Sequence, residues 1–151
     1  MTQMQQNKWH SRFVDLAKHI SEWSKDPSTQ VGAVAIKNRR ILATGYNGFP
    51  RGVADRQERL LNREQKLLRT VHAEANIVAQ AAQHGTTLTN ATVYIWPFLP
   101  CNSCCSLLIQ AGITRVVVPD LPIPDRWRES FTMSTEMLRE AGIQLHKIAL
   151  D

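Results

Sequence analysis

The sequence predicts an α/β domain built on a mixed sheet with helices on both faces. Three observations carry this reading. Five short apolar segments have strand character, and the first two are joined by a tight polar turn, so they pair antiparallel. Each later strand segment is separated from its predecessor by a stretch of helical period, the pattern of a sheet covered by helices. At 43% hydrophobic and 21% charged residues, 151 residues suffice to close one core, so 1–151 is read as a single domain.

An amphipathic helix is expected over 8–24, where Trp9, Phe13, Leu16, Ala17, Ile20 and Trp23 recur at helical spacing; Asp26-Pro27-Ser28 stops it. Strands at 31–36 and 41–44 flank the turn Lys37-Asn38-Arg39-Arg40. Gly45-Tyr46-Asn47-Gly48-Phe49-Pro50-Arg51-Gly52 is a turn-rich loop able to bring main chain close to a ligand. In 51–69 the cations Arg51, Arg56, Arg59, Arg63, Lys66 and Arg69 outnumber Asp55, Glu58 and Glu64. Read as helix, this stretch puts Arg59, Arg63 and Lys66 on one face and Leu60, Leu67, Leu68 and Val71 on an apolar side. The basic face is either solvated or turned toward phosphate, since it leads straight into His72.

The next helix carries His72 and Glu74 and turns Ala75, Val78, Ala79 and Ala82 inward until Gly85. A strand at 92–96 and a turn at 97–100 lead to a helix that opens on Cys101 and Cys104, with Leu107, Leu108 and Ala111 as its buried side. A strand at 113–118, a proline-broken loop at 120–128, a helix at 131–140 and a strand at 143–150 complete the pattern. In such a sheet the site is expected where two helix N-termini converge beyond the strand ends.

The net charge of +5 points to an anionic partner without naming it. No stretch approaches a membrane-spanning run, and Met1-Thr2-Gln3-Met4-Gln5-Gln6 lacks the charged and apolar regions of a signal peptide. Three cysteines, two of them in a metal-type spacing, make no disulfide framework; the expectation is a cytoplasmic protein.

The chemistry sits in His72-Ala73-Glu74 followed by Pro100-Cys101-Asn102-Ser103-Cys104. One imidazole and two thiolates hold zinc with its fourth position open, as catalytic sites require. Water on such an ion has a pKa of about 7 rather than about 16. Glu74, two residues past the imidazole, is placed to move protons and is not a ligand. Cys105 adjoins Cys104, so on a helix it points about 100° away; it is expected as a small buried filler. A lone Cys-x-x-Cys is also a redox pair or half a structural zinc site, and a lone His-x-Glu means little. Together, with Pro100, they match the signature of zinc-dependent nucleobase deaminases.

Ser28-Thr29-Gln30-Val31-Gly32-Ala33, Gly45-Tyr46-Asn47-Gly48, His72-Ala73-Glu74 and Pro100-Cys101-Asn102-Ser103-Cys104 together resemble the deoxycytidylate (dCMP) deaminases of the cytidine deaminase-like superfamily. The resemblance spans nearly the whole chain. It implies a three-layer αβα sandwich and the reaction dCMP + water → dUMP + ammonia. It also implies a homo-oligomer, often hexameric, activated by dCTP and inhibited by dTTP, with Mg2+ accompanying a triphosphate effector. By the same resemblance Asn47 bonds the sugar hydroxyl, Ala73 and Phe98 contact the pyrimidine, and Ser28 and Thr29 bind phosphate or cap a turn. Gly48 and Arg51 fall in the effector loop. Cysteine is confined to Cys101, Cys104 and Cys105, so a single zinc is expected.

Three alternatives compete. One keeps the chemistry but acts on a base in RNA or single-stranded DNA; the absence of an arginine-rich tail argues against it. Another takes dCTP, dCDP or free deoxycytidine. The third is a non-catalytic nucleotide sensor, which the intact Glu74 disfavours.

Overall fold

Asn38 and Arg39 both adopt positive φ, 52° and 61°, the backbone of a two-residue hairpin turn. In the computed structural model, which describes residues 2–150, that turn joins β1 (Gly32–Lys37) to β2 (Arg40–Tyr46). β1 also pairs antiparallel with β3 (Thr92–Trp96), while β4 (Arg115–Pro119) and β5 (Gln144–Ile148) continue the sheet in parallel. The mixed five-stranded sheet has the order β2-β1-β3-β4-β5.

Period-two alternation assigns each strand face to a helix layer. Val34, Ile36, Tyr94 and Val117 face α1 (Gln3–Ser21), packing on Phe13, Val14, Ala17 and Ile20. After α2 (Gln57–Leu61) and α3 (Arg63–Arg69), the helices α4 (Ala73–His84), α5 (Asn102–Gln110) and α6 (Arg128–Glu140) form the other layer. Their Ile77, Leu108, Phe131 and Leu138 meet Ala33, Ala35, Val93, Ile95, Val116 and Val118. Each large side chain fully buried here contributes about 1.5–3 kcal/mol. The result is the three-layer αβα sandwich. Among the described residues no helix is long and apolar enough to cross a membrane.

Several expectations are corrected. α1 starts at Gln3 because Thr2 and Gln5 form a capping box, a signal outside the apolar stripe. It ends at Ser21, leaving Trp23 54% exposed and edge-on to Tyr46 instead of in the core. The 51–69 stretch is not one helix. Asn62 is extended (φ −91°, ψ 109°) and caps α3 through the Gln65 N–H, so the face shared by Arg59, Arg63 and Lys66 is interrupted. Leu67 and Leu68 are 54% and 74% exposed, and the buried residue of α3 is Lys66.

In α4 the buried positions are Ala73, Glu74, Ile77 and Ala81, so Ala79 and Ala82 face solvent. In α5, Cys104, Cys105 and Leu108 are buried while Leu107 is exposed. Both corrections are rotations of a helix about its own axis, which small or uniformly apolar residues do not fix.

Candidate active site

Two of the predicted ligands are N-caps. His72 precedes α4 and Cys101 precedes α5, both extended (ψ 154° and 165°), so two chains arriving at the sheet end turn there into helices. Cys104 lies in the first turn of α5. This brings His72 Nδ1 to 3.5 Å from Cys101 Sγ and 3.4 Å from Cys104 Sγ. All three donor atoms fall within 4.8 Å of one another.

Zinc bonds of about 2.3 Å to sulfur and about 2.0–2.1 Å to nitrogen, set tetrahedrally, require N···S separations of about 3.6 Å. The donors therefore fit zinc in both chemistry and spacing. Cys105 takes no part: it is fully buried, and its thiol donates to the Ser134 carbonyl oxygen at 3.6 Å.

The electrostatics favour one thiolate of the pair. The Cys101 thiol is pulled down to about 4, chiefly by a hydrogen bond from Cys104; burial opposes this and His72 assists. That same bond, with burial, pushes the Cys104 thiol up, so the pair shares one proton. Glu74 is 4% exposed, and burial raises its carboxyl to about 7 against the opposing effect of His72.

His72 and Cys101 border a cavity of about 120 Å³. Ala73, Glu74, His72 and Cys101 form part of its lining, and Val31, Leu99, Phe98, Trp127 and Phe131 form apolar wall. Trp127 and Phe131 stack at 5.9 Å with an interplanar angle of 11°, presenting a rigid aromatic surface. Asp26, Ser28, Thr29, Arg63, Lys66 and Arg126 supply a polar section.

That section is organised by a buried ion pair. Lys66 Nζ lies 3.0 Å from Asp26 Oδ1 and donates to Ser28 Oγ at 3.2 Å. Asp26 Oδ1 also accepts the N–H groups of Ser28 and Thr29. Burial pushes the Asp26 carboxyl up, but the Ser28 amide, Lys66 and the Thr29 amide outweigh it and hold the group below the usual range.

Ser28, Thr29, Asn47, Ala73, Glu74 and Phe98 all line the cavity. The amides of Ser28 and Thr29 are committed to Asp26, so what they offer a ligand is their hydroxyls. Asn47 Oδ1 accepts the Val31 N–H and its Nδ2 donates to the Thr29 carbonyl, each at 2.9 Å. Asn47 thus fastens the loop while retaining a lone pair and one N–H.

Gly48 and Arg51 are not part of the lining. Gly48 pairs its backbone with Val71, the residue before His72, and Arg51 donates to Gln83 Oε1 at the surface. Sequence reasoning did not find Asp26, Arg126, Trp127 or Phe131. Asp26-Pro27-Ser28 carried a turn signal, but nothing local shows which cavity a turn faces.

Residues 7–119 match the family described as the cytidine and deoxycytidylate deaminase zinc-binding region. An uncharacterized deaminase from the luxG 3'region of Aliivibrio fischeri is 39% identical, the match covering 96% of this chain and 97% of the relative. A probable deoxycytidylate deaminase of Caenorhabditis elegans is also 39% identical, covering 95% and 71% respectively. In fold, the chain is similar to the dCMP deaminase of cyanophage S-TIM5 in complex with dCMP and dUMP, with a TM-score of 0.74 over 98% of this chain and 99% of that one, at 23% identity. With the three donors and the buried carboxylate arranged as described, the chain belongs to the cytidine and deoxycytidylate deaminase family.

Proposed function

We propose that the protein is a zinc-dependent hydrolase that converts dCMP and water to dUMP and ammonia. The observation that carries this reading is the His72, Cys101 and Cys104 triangle beside the buried Glu74, opening on a cavity that also contains cations. His72, Cys101 and Cys104 would hold the zinc, which would supply Lewis acidity to activate a water.

Glu74 performs the proton work. It takes one proton from the attacking water and delivers it to N3 of the ring, then takes the second from the new C4 hydroxyl and delivers it to the departing amine. Burial raises this carboxyl above the usual carboxylate range, which suits it to holding a proton as well as releasing one. Phe98 and the stacked Trp127–Phe131 pair favour a flat pyrimidine between them. The spare N–H and lone pair of Asn47 suit the sugar hydroxyl.

Phosphate recognition falls to Arg63 and Arg126, with the Ser28 and Thr29 hydroxyls. Lys66 is already neutralised by Asp26. Among the described residues, neither Arg63 nor Arg126 has a carboxylate partner. Two uncompensated guanidiniums on one cavity favour a monophosphate over a nucleoside.

Exposed Leu61, Leu67 and Leu68, at 65%, 54% and 74%, support a homo-oligomer, in our reading a hexamer. Control by dCTP and dTTP through the Gly48–Arg51 loop, with Mg2+ on the triphosphate, and a cytoplasmic location complete the proposal.

The test is ammonia release by purified, zinc-loaded protein from dCMP, deoxycytidine, dCTP and a cytosine-containing oligonucleotide, with and without dCTP and dTTP as effectors. Arg63→Ala and Arg126→Ala should raise KM for dCMP about tenfold or more, the loss of one charge-assisted bond of about 1.5–3 kcal/mol, and leave deoxycytidine turnover unchanged. Equal turnover of dCMP and deoxycytidine by the wild type would refute the phosphate assignment. Preference for the oligonucleotide, with steep salt dependence, would replace dCMP by a polymer substrate.

A further inference from the structure

The first N–H groups of a helix lack partners within it, and the N-cap side chain normally supplies one. At α5 the N-cap is Cys101, which makes no side-chain cap hydrogen bond. Its sulfur faces His72 instead, 3.5 Å from Nδ1. A residue that gives its side chain to a metal cannot also cap its own helix, so the start of α5 needs another anchor.

α6 provides it. Ser130 Oγ accepts the Asn102 N–H at 2.9 Å and donates to Asn102 Oδ1 at 2.8 Å. Ser134 Oγ donates to the Pro100 carbonyl oxygen at 2.7 Å. Ser130 and Ser134 are four residues apart, so they share one face of α6. Between them they hold the peptide on each side of Cys101. Ser134 is fully buried and Pro100 is also fully buried, so no solvent takes over that carbonyl if the hydroxyl is removed.

We propose that Ser130 and Ser134 are positioning residues for Cys101, making retention of the metal depend on α6. The inference rests on the reading of His72, Cys101 and Cys104 as ligands. Phe131 lies between the two serines in sequence and lines the cavity, stacked on Trp127. One helix therefore carries both an aromatic wall of the cavity and the brace of a thiolate ligand. Partners of ligating groups elsewhere typically change metal affinity by about 10–100-fold when removed.

The experiment compares zinc-loaded wild type with Ser130→Ala and Ser134→Ala. Zinc release to a chromogenic chelator should be about 10–100-fold faster in each variant. The cobalt-substituted variants should show a shifted ligand-field spectrum, a readout that ordinary loss of stability does not move. Ser130→Thr, which keeps the hydroxyl, should restore slow release. Leu138→Val is the control: it trims the core under the same helix and leaves the Ser130 and Ser134 hydrogen bonds in place, and release should stay near wild type. Should Ser134→Ala not fold, the partly exposed Ser130 decides the matter alone. Release within twofold of wild type in the serine variants, or equal acceleration in Leu138→Val, overturns the positioning role. Wild-type protein that holds no zinc would overturn the ligand assignment itself, a separately visible failure.

Discussion

Replacing Lys66 by Met tests the brace of the polar cavity section most directly. The Lys66 and Asp26 side chains are only 6% and 11% exposed, and their charges lie 3.0 Å apart. Removing one partner of a buried pair typically costs about 3–5 kcal/mol, because the other charge is left uncompensated. Asp26 keeps the Ser28 and Thr29 amides at 2.8 and 3.2 Å, so the lower end, about 3 kcal/mol, is expected. For a chain of this size that lowers Tm by about 6–12 °C.

The loss should also depend on pH. In the wild type the Asp26 carboxyl sits below its unfolded value of about 3.9. Its contribution is therefore present above that value and lost as pH falls through the folded pKa. In Lys66→Met burial is opposed by the amides alone, so the folded pKa rises. Protonation then relieves the buried charge as pH falls, and the gap closes from the variant's raised pKa down to the wild type's, which lies below about 3.9. Urea unfolding at a series of pH values measures the gap. Asp26→Asn combined with Lys66→Met should recover part of the loss, since no charge remains buried. A gap below about 1 kcal/mol at neutral pH, or one that fails to narrow as pH falls through the carboxylate range, would show that the pair does not brace the loop.

Glu74→Gln should fold and hold one zinc per chain while kcat falls about 10²–10⁴-fold; wild-type turnover with full metal content would remove Glu74 from the proton path. Cys104→Ser should lose zinc, as read by metal analysis. Cys105→Ala should keep it and cost about 1 kcal/mol in urea, and a loss of metal from Cys105→Ala would contradict the ligand set. At Gly45 an added Cβ would meet the Ala73 carbonyl oxygen and lie 3.0 Å from the Ile77 nitrogen, so Gly45→Ala should push the start of α4 from β2. It should cost about 1–3 kcal/mol and speed zinc release, and unchanged stability would deny the close approach.

The chemistry was legible because it lies in contiguous residue types. His72, Glu74, Cys101 and Cys104 read as donors and proton carrier wherever the chain puts them, and the two motifs also mark two helix starts. The strands were legible for a similar reason: Val93–Ile95 and Val116–Val118 are buried runs bounded by turn residues, a pattern that period and composition report locally. The faces of α4 and α5 were not. Ala73 stands on one side of α4 and Ala75, Ala79 and Ala82 on the other, and only the opposing strands decide which side is covered.

Lys66 shows the limit most plainly. In sequence it is one of six cations in a polar stretch, and the expected apolar partners were Leu67 and Leu68. The fold inverts this, burying the lysine on Asp26, forty residues away, and exposing the leucines. Ser130, Ser134, Trp127 and Arg126 likewise carry no local signal, because what they do depends on residues brought near by α6. The sequence by itself therefore determined which atoms could bind metal and move protons, and the chain order of the strands and helices around them. Tertiary structure alone decided what surrounds those atoms, because hydrogen bonds and burial are fixed by neighbours across space, to which the period of a chain is blind.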